Sequence, residues 1–303
     1  MKKGVKVSKK SNSRNNTVAK DNNQQICSKK GDCMQDVVVS ELLHQTITDF
    51  FPDMKCWIDS MADPRNPNKI TYEMASLIWE GILLFECKLG ARRQIDYEFA
   101  TEEFKQNFKI ISQTDPERLP DQDTLAYLLE RLEVNQIDKL RTKMINRLLR
   151  MKYLMDSRLL DKYYLIIVDA TGQLSFGENK HCEGCLSAKH EKTKKTYYYH
   201  NVLDAKIIGP NGMVLSVCTE FIENPGAGKN KQDCELNAFK RLAEKLKNKF
   251  PQLNICLLFD GLYAAEPVIE ICKKNNWRYI ITFKEGSMPE VWREYKTIEK
   301  QSP

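Results

Sequence analysis

At 303 residues with 42% apolar side chains, the chain has room for two domains and for sizeable cores. Its most apolar stretch, SLIWEGILLFECKLG, is interrupted by Glu80 and Glu86, and no run reaches the ~18 uninterrupted apolar residues of a membrane span. The formal charge of +6 sits at one end: residues 1–30 hold nine Lys/Arg and one Asp, so the rest of the chain carries −2.

Residues 1–35 are rich in Ser, Asn, Lys and Gln and nearly free of large apolar groups. Such a segment cannot offset its own ordering entropy and is predicted to be a basic disordered tail. It is either simply solvated or an arm that touches phosphates. It lacks the apolar segment of a secretory signal. The ten cysteines are scattered apart from Cys182 and Cys185, which points to a reducing, cytoplasmic setting, with no membrane partner, rather than to a disulfide framework.

From 36 to 157 the apolar period is helical. VVVSELLHQTITDFF is closed by Pro52, and DPRNPNK is a turn-rich linker. TYEMASLIWEGILLFECKL reads as a long buried helix with Thr71 or Asn68 as cap and Gly90 at its end. LPDQDTLAYLLERL offers Asp123 or Thr124 as its cap. QIDKLRTKMINRLLRMKYL spaces Ile137, Leu140, Met144 and Leu148 on one face. Lys139, Arg141, Lys143, Arg147 and Arg150 fall largely on the others. A basic face is most often only solvated, but beside a nucleic-acid enzyme it would track phosphate, and these five are the DNA-binding candidates. Trp57, Trp79 and Trp277 read as core aromatics, whereas Trp292 is expected to be exposed.

From 158 to 303 the period changes. YYLIIVDA is an apolar run of the kind found in a sheet covered on both faces. KTYYYHNVLDAKII and GMVLSVCTEFI flank the turn GPNG and read as a hairpin. KQDCELNAFKRLAEKLKNKF is a helix starting near Lys231, NICLLFDG a second buried strand, AAEPVIEICKKNNW a helix and RYIITFKEG a last strand.

Asp169 and Asp260 each end an apolar strand and are each followed within three residues by a glycine. If these two strands lie side by side, the carboxylates face one point, where they repel unless they share a proton or a cation. Hard oxygen ligands suit Mg²⁺ or Mn²⁺, and a pair of such ions activates a nucleophile and stabilises the leaving oxygen of a phosphodiester. Gly172 and Gly261 would let a sugar-phosphate backbone approach. The plainer reading is that a strand-tip Asp caps a helix or binds a ribose. The order strand, hairpin, helix, strand, helix, strand favours a ribonuclease-H-like sheet over a nucleotide-binding one.

Cys182-x2-Cys185 has the spacing of a metal knuckle, and His190 and His200 would complete a tetrahedral Zn²⁺ site. The alternative is a pair of surface thiols. IENPGAGKNK is not a phosphate loop, since Glu223 stands where the first Gly belongs and Asn230 replaces the Ser/Thr.

VDATG, YYHNVLDAKI, KQDCELNAFKRL and LLFDGLYAAEPVIEICKKNNWRYIITFKEGS resemble insertion-sequence DDE transposases, as do the upstream DPRNPNKITYEM, LLFECKLGARRQIDYEF and RLPDQDTLAYLLERL. The resemblance covers about residues 60–300. It implies an α/β fold: a helical DNA-binding N-terminal region, then an incomplete ribonuclease-H-like mixed sheet with flanking helices. It also implies double-stranded transposon ends as partner, Mg²⁺-dependent strand cleavage and transfer, and a cytoplasmic, nucleoid-associated protein, with a homodimer left open. Asp169 and Asp260 would be the first and second catalytic carboxylates, and Glu223 and Asp233 resemble further acidic residues of the family. The family's third carboxylate is a Glu on a later helix, and Glu285, Glu290 and Glu294 fall in or just after the last strand. The chain is therefore expected to be cut before that residue and to carry out little strand transfer alone. The alternatives are a non-catalytic DNA-binding or transposition-regulating protein and an unrelated metal-dependent phosphoesterase.

Overall fold

The computed structural model describes residues 39–177, 181–224, 232–283, 286 and 288–301. The expected basic tail, the start of the helix at Lys231 and Glu285 lie outside the described residues. The chain divides into two compact units, 1–42 and 43–303. Among the described residues the first holds only the opening turn of a helix; every other element belongs to the second.

The helical part comprises α1 (Val39–Phe50), α2 (Met54–Asp59), α3 (Met74–Glu86), α4 (Ile95–Glu98), α5 (Glu102–Ser112), α6 (Gln122–Leu129) and α7 (Val134–Arg150). α3 is its axis. Leu77, Ile78, Trp79 and Leu83 are all buried, as are Ile58 of α2, Phe108 of α5 and Leu125 and Leu128 of α6. Local chemistry sets the helix ends, not always where the residue types suggested. α3 starts at Met74 after Glu73 with no side-chain cap. Asn66 instead caps the short 3-10 turn Pro67–Lys69. α3 closes not at Gly90 but at Cys87, with Lys88 turning left-handed at φ 54°. The cap of α6 is Asp121, whose carboxylate accepts from the backbone N–H groups of Asp123 and Thr124. Trp79 and Trp277 are buried, but Trp57 is only half-buried and lines a cleft beside α7. No helix among the described residues is long and apolar enough to cross a membrane.

The second part is a mixed sheet of β1 (Tyr164–Phe176), β2 (Leu186–Lys189), β3 (Thr196–Ile208), β4 (Val214–Ile222), β5 (Ile255–Phe259) and β6 (Arg278–Ile281), with α8 (Glu235–Lys249), α9 (Glu266–Lys274) and α10 (Pro289–Gln301). β4, β3 and β1 are joined antiparallel, and β5 and β6 continue parallel to β1. α8 and α9 form the two crossovers, which parallel neighbours require. The fold is mixed α/β, a mixed sheet with flanking helices, as the element order suggested.

Two features differ from the expectation. β1 does not stop at Asp169; it runs on to Phe176, paired with β3 as far as Tyr198. This continuation has almost no core of its own, Thr171 to Ser175 being exposed, but the ladder satisfies its backbone. The short β2 adds to the same end of β3. In addition, a helix follows β6: Glu290 and Glu294 lie on α10, and Glu290 pairs with Arg293 at 2.8 Å. Trp292 is half-buried against Phe283 and Tyr295 rather than fully exposed.

Glu80 is only 1% exposed in the middle of α3, and neither carboxylate oxygen has a hydrogen-bond partner. Burial, with the negative charges of Asp121 and Asp96 adding to it, pushes its pKa up to about 9. The folded chain therefore keeps a proton that the unfolded chain releases above about pH 4.5. Stability is full below that value and falls as the pH rises toward 9. At pH 7 the cost is about 3 kcal/mol. Glu80→Gln should remove it. In urea denaturation the variant is expected to exceed the parent by a margin that widens between pH 5.5 and 8. A margin independent of pH would show that Glu80 is not held protonated.

Candidate active site

The parallel ladder between β1 and β5 ends with Ile167 opposite Leu258. Asp169 and Asp260 each lie two residues further on. The register of that ladder, continued past its last pair, would set them opposite one another. In-register residues of parallel neighbours point to the same face, and both aspartates are exposed. Asp260 leaves β5 as the cap of the 3-10 turn Gly261–Tyr263, its Oδ1 accepting from the Leu262 N–H at 3.0 Å. That bond leaves the outer lone pairs of the carboxylate open. The capping role and the bridging role are therefore compatible.

A third carboxylate lies near enough to feel the charge of both, one that residue spacing did not single out, but it does not form a three-ligand cluster with them. Glu235 opens α8, and its Oε2 accepts from the Tyr263 hydroxyl at 3.3 Å. Burial raises the Glu235 carboxyl above its ordinary range. The Tyr263 bond works against that rise, and the negative charges of Asp260 and Asp169 add to it. Burial likewise raises the Tyr263 hydroxyl, helped by Glu235, Asp260 and Asp169, so it remains a donor. Tyr263 is itself fixed: its ring stacks on Phe259 at 4.9 Å and meets Phe239 of α8 edge-on at 5.9 Å. The aromatic cluster thus sets how α8 docks against the end of β5, and with it where Glu235 stands. A signal was available in KQDCEL, an acidic residue at a helix start, but nothing in the sequence says which carboxylates that start will meet.

Asp204, directly opposite Asp169 on β3, is also acidic but occupied. Its Oδ1 accepts from the hydroxyls of Ser216 and Thr219, each at 2.8 Å. The resembling acidic pair is not brought to the aspartates by any bond. Asp233 binds Arg241 at 2.6 Å, which also holds Glu220. Glu223 stands beside the Cys182–Cys185 loop.

The five basic candidates of α7 do not form one free face. Arg141 donates to Ser216 and Thr219, both at 2.7 Å, and pairs with Asp138. It fastens α7 to β4. Burial acts to raise the Asp138 carboxyl, but Lys249 and Arg141 outweigh it and hold it below its usual value. Arg147 pairs with Asp53 at 3.3 Å, and Lys143 donates to Ser60. Lys143, Arg147 and Arg150 line a cleft of about 480 Å³ with Asp53, Trp57, Asn146 and Met151. Lys139 and Arg150 are exposed.

Of the sulfur and imidazole candidates, Cys182, Cys185 and His200 converge, while His190 does not join them. His190 sits in the β2–β3 turn, where its Nδ1 accepts from the Thr193 N–H at 3.4 Å.

No family model matches the chain, and no curated protein matches it. Among solved structures, the piggyBac transposase synaptic complex with hairpin DNA aligns over 84% of this chain and 53% of its own length, at 12% identity and a TM-score of 0.39. The Mos1 transposase paired-end complex with left transposon end aligns over 81% of this chain and 75% of its own, at 11% identity and a TM-score of 0.23. The chain thus spans about half the length of the first of these. At TM-scores this low, the likeness assigns neither family nor activity.

Replacing Arg141 by Ala should cost about 1–3 kcal/mol, since charged hydrogen bonds to Asp138, Ser216 and Thr219 are lost together. Lys139→Ala should stay within about 0.5 kcal/mol. Chemical denaturation of the two variants checks this, and equal stabilities would mean that Arg141 is not a tie.

Proposed function

We propose that the chain is a transposase-type protein of the DDE kind, which binds double-stranded transposon ends and carries two of the carboxylates for metal-dependent cleavage and joining of DNA strands. Little strand transfer is expected of this chain alone, because no third catalytic carboxylate is identified in it. The observation that supports the reading is the parallel pairing of β1 and β5, whose register points Asp169 and Asp260, two residues beyond its last pair, toward one place. Two exposed carboxylates at neighbouring strand ends, whose charge reaches Glu235, make a locally negative, all-oxygen donor pair; Glu235 does not close a three-ligand cluster with them. That pair fits a hard divalent cation and would otherwise repel itself. When bound, Mg²⁺ or Mn²⁺ would polarise the scissile phosphate and lower the pKa of the attacking water or 3′-hydroxyl. Asp169 and Asp260 would hold the ions. Glu235, kept at a raised pKa by burial, would accept a hydrogen bond or a proton at the edge of the site. Tyr263 orients Glu235 through its hydroxyl. Lys139 and Arg150 are the exposed cations of α7 left for phosphate contact. Arg141, Lys143 and Arg147 have partners inside the protein, and their contribution to DNA affinity would be smaller.

Metal binding tests the site apart from turnover. Mn²⁺ titration followed by electron paramagnetic resonance should show saturable binding that Asp169→Asn and Asp260→Asn each weaken by at least about tenfold. Mn²⁺ affinity unchanged in both variants would overturn the assignment. Duplex binding should fall steeply with salt, and Lys139→Ala with Arg150→Ala should reduce that slope. A slope identical to the parent's would remove α7 from the DNA path.

A further inference from the structure

From the geometry of one cluster we infer a second metal centre, distinct from the carboxylates: a zinc site made by Cys182, Cys185 and His200. The inference is independent of the transposase reading. The Sγ atoms of Cys182 and Cys185 are 3.4 Å apart, and His200 Nε2 lies 3.2 Å from the first and 3.3 Å from the second. Three soft or borderline donors therefore stand at the corners of a nearly equilateral triangle. An ion about 2.3 Å from each sulfur and about 2.0–2.1 Å from the nitrogen fits just above its plane. Hydrogen bonding does not account for the convergence, because thiols are weak donors and the imidazole has one ring nitrogen for both sulfurs. Both cysteines are free.

The scaffold around the triangle is already built. The Cys185 N–H donates to the Cys182 carbonyl at 3.3 Å, the tight turn of a metal knuckle. Asn224, just beyond β4, grips that turn twice: its N–H donates to the Gly184 carbonyl and its Nδ2 to the Cys185 carbonyl, at 3.0 and 2.7 Å. His200 comes from β3, opposite Leu174 of β1, and Phe176 meets its ring edge-on at 6.0 Å. His190 belongs to the next turn and is not a ligand. The fourth position is completed by water or by the neighbouring Glu223 carboxylate. The Glu223 Oε2 and the Cys182 Sγ both lie within 4 Å of the point where a Cβ on Gly184 would stand. Uptake of Zn²⁺ would displace the two thiol protons to solvent, leaving a thiolate pair and a neutral imidazole as ligands.

The location gives the ion its role. β1 and β3 run past Asp169 into a ladder whose β1 side is exposed from Thr171 to Ser175. A ladder without a core is marginal on its own, and a metal tie can replace the missing burial. The ion would fasten the loop after β1 to the middle of β3, and so hold the exposed end of β1 that leads away from Asp169.

The test uses the full chain, expressed with added zinc and purified without chelator, with zinc measured by mass spectrometry. One equivalent is expected. The Co²⁺-substituted protein should show the visible bands of a tetrahedral thiolate site, a readout that needs no variant. Cys182→Ser, Cys185→Ser and His200→Gln should each lower zinc affinity at least about tenfold, while His190→Ala should not. Amide exchange of Leu174 to Phe176 should slow on adding Zn²⁺. Zinc well below one equivalent, a Co²⁺ spectrum without thiolate bands, or unchanged affinity in His200→Gln would each overturn the site. Exchange that does not respond to Zn²⁺ would overturn its role as a staple.

Discussion

The pairing of β1 with β5 is the constraint on which the candidate site depends. Backbone hydrogen bonds that end at Ile167 and Leu258 stop two residues short of Asp169 and Asp260, and their register directs the two carboxylates toward one another. Alone in water, Asp169 and Asp260 would separate, because like charges at such distances repel. The ladder prevents this, and its stability comes from Ile166, Val168, Leu257 and Phe259, all buried on the sheet. Burial of about 1.5–3 kcal/mol per such side chain outweighs the repulsion of one exposed acidic pair. The apolar run and the carboxylate at its end are thus a single device, in which packing holds charge where solvent alone would not leave it.

Around that device the chain uses charge in two other ways. Arg141, Asp138 and Lys249 link α7, β4 and α8, and the network runs on through Ser216 and Thr219 to Asp204, the residue opposite Asp169. Each half-buried carboxylate in this network has its donors, which is what makes the arrangement tolerable. Glu80 has none, and the protein accommodates it by keeping it protonated. Glu235 lies between the two cases, with one donor from Tyr263 and two negative neighbours.

Much of the fold was legible because periodicity is a local property. The long apolar strands, the hairpin around Pro210 to Gly212, Pro267 in the first turn of α9 and the switch from helical to strand period near residue 160 all stand in the sequence. Helix caps were less legible. Asp121 rather than Asp123 caps α6 because a cap is chosen by which side chain reaches the free N–H groups, and several acceptors lie within a turn of one another. The continuation of β1 past Asp169 was missed because its residues are polar and its support is a partner strand, which leaves no apolar signature.

The sequence by itself determined which residues could do chemistry: two aspartates closing buried strands, a Cys-x-x-Cys knuckle with histidines nearby, and a helix with Lys and Arg on several faces. Each follows from residue type and spacing, which are short-range. Only the tertiary structure decided which of these meet. It put the strands that end in Asp169 and Asp260 side by side, brought Glu235 to the Tyr263 hydroxyl, placed His200 rather than His190 beside the cysteines, and committed Arg141 to a partner on β4. Those outcomes depend on strand register and helix docking, which arise from contacts between residues tens of positions apart. A short window of sequence carries no record of them.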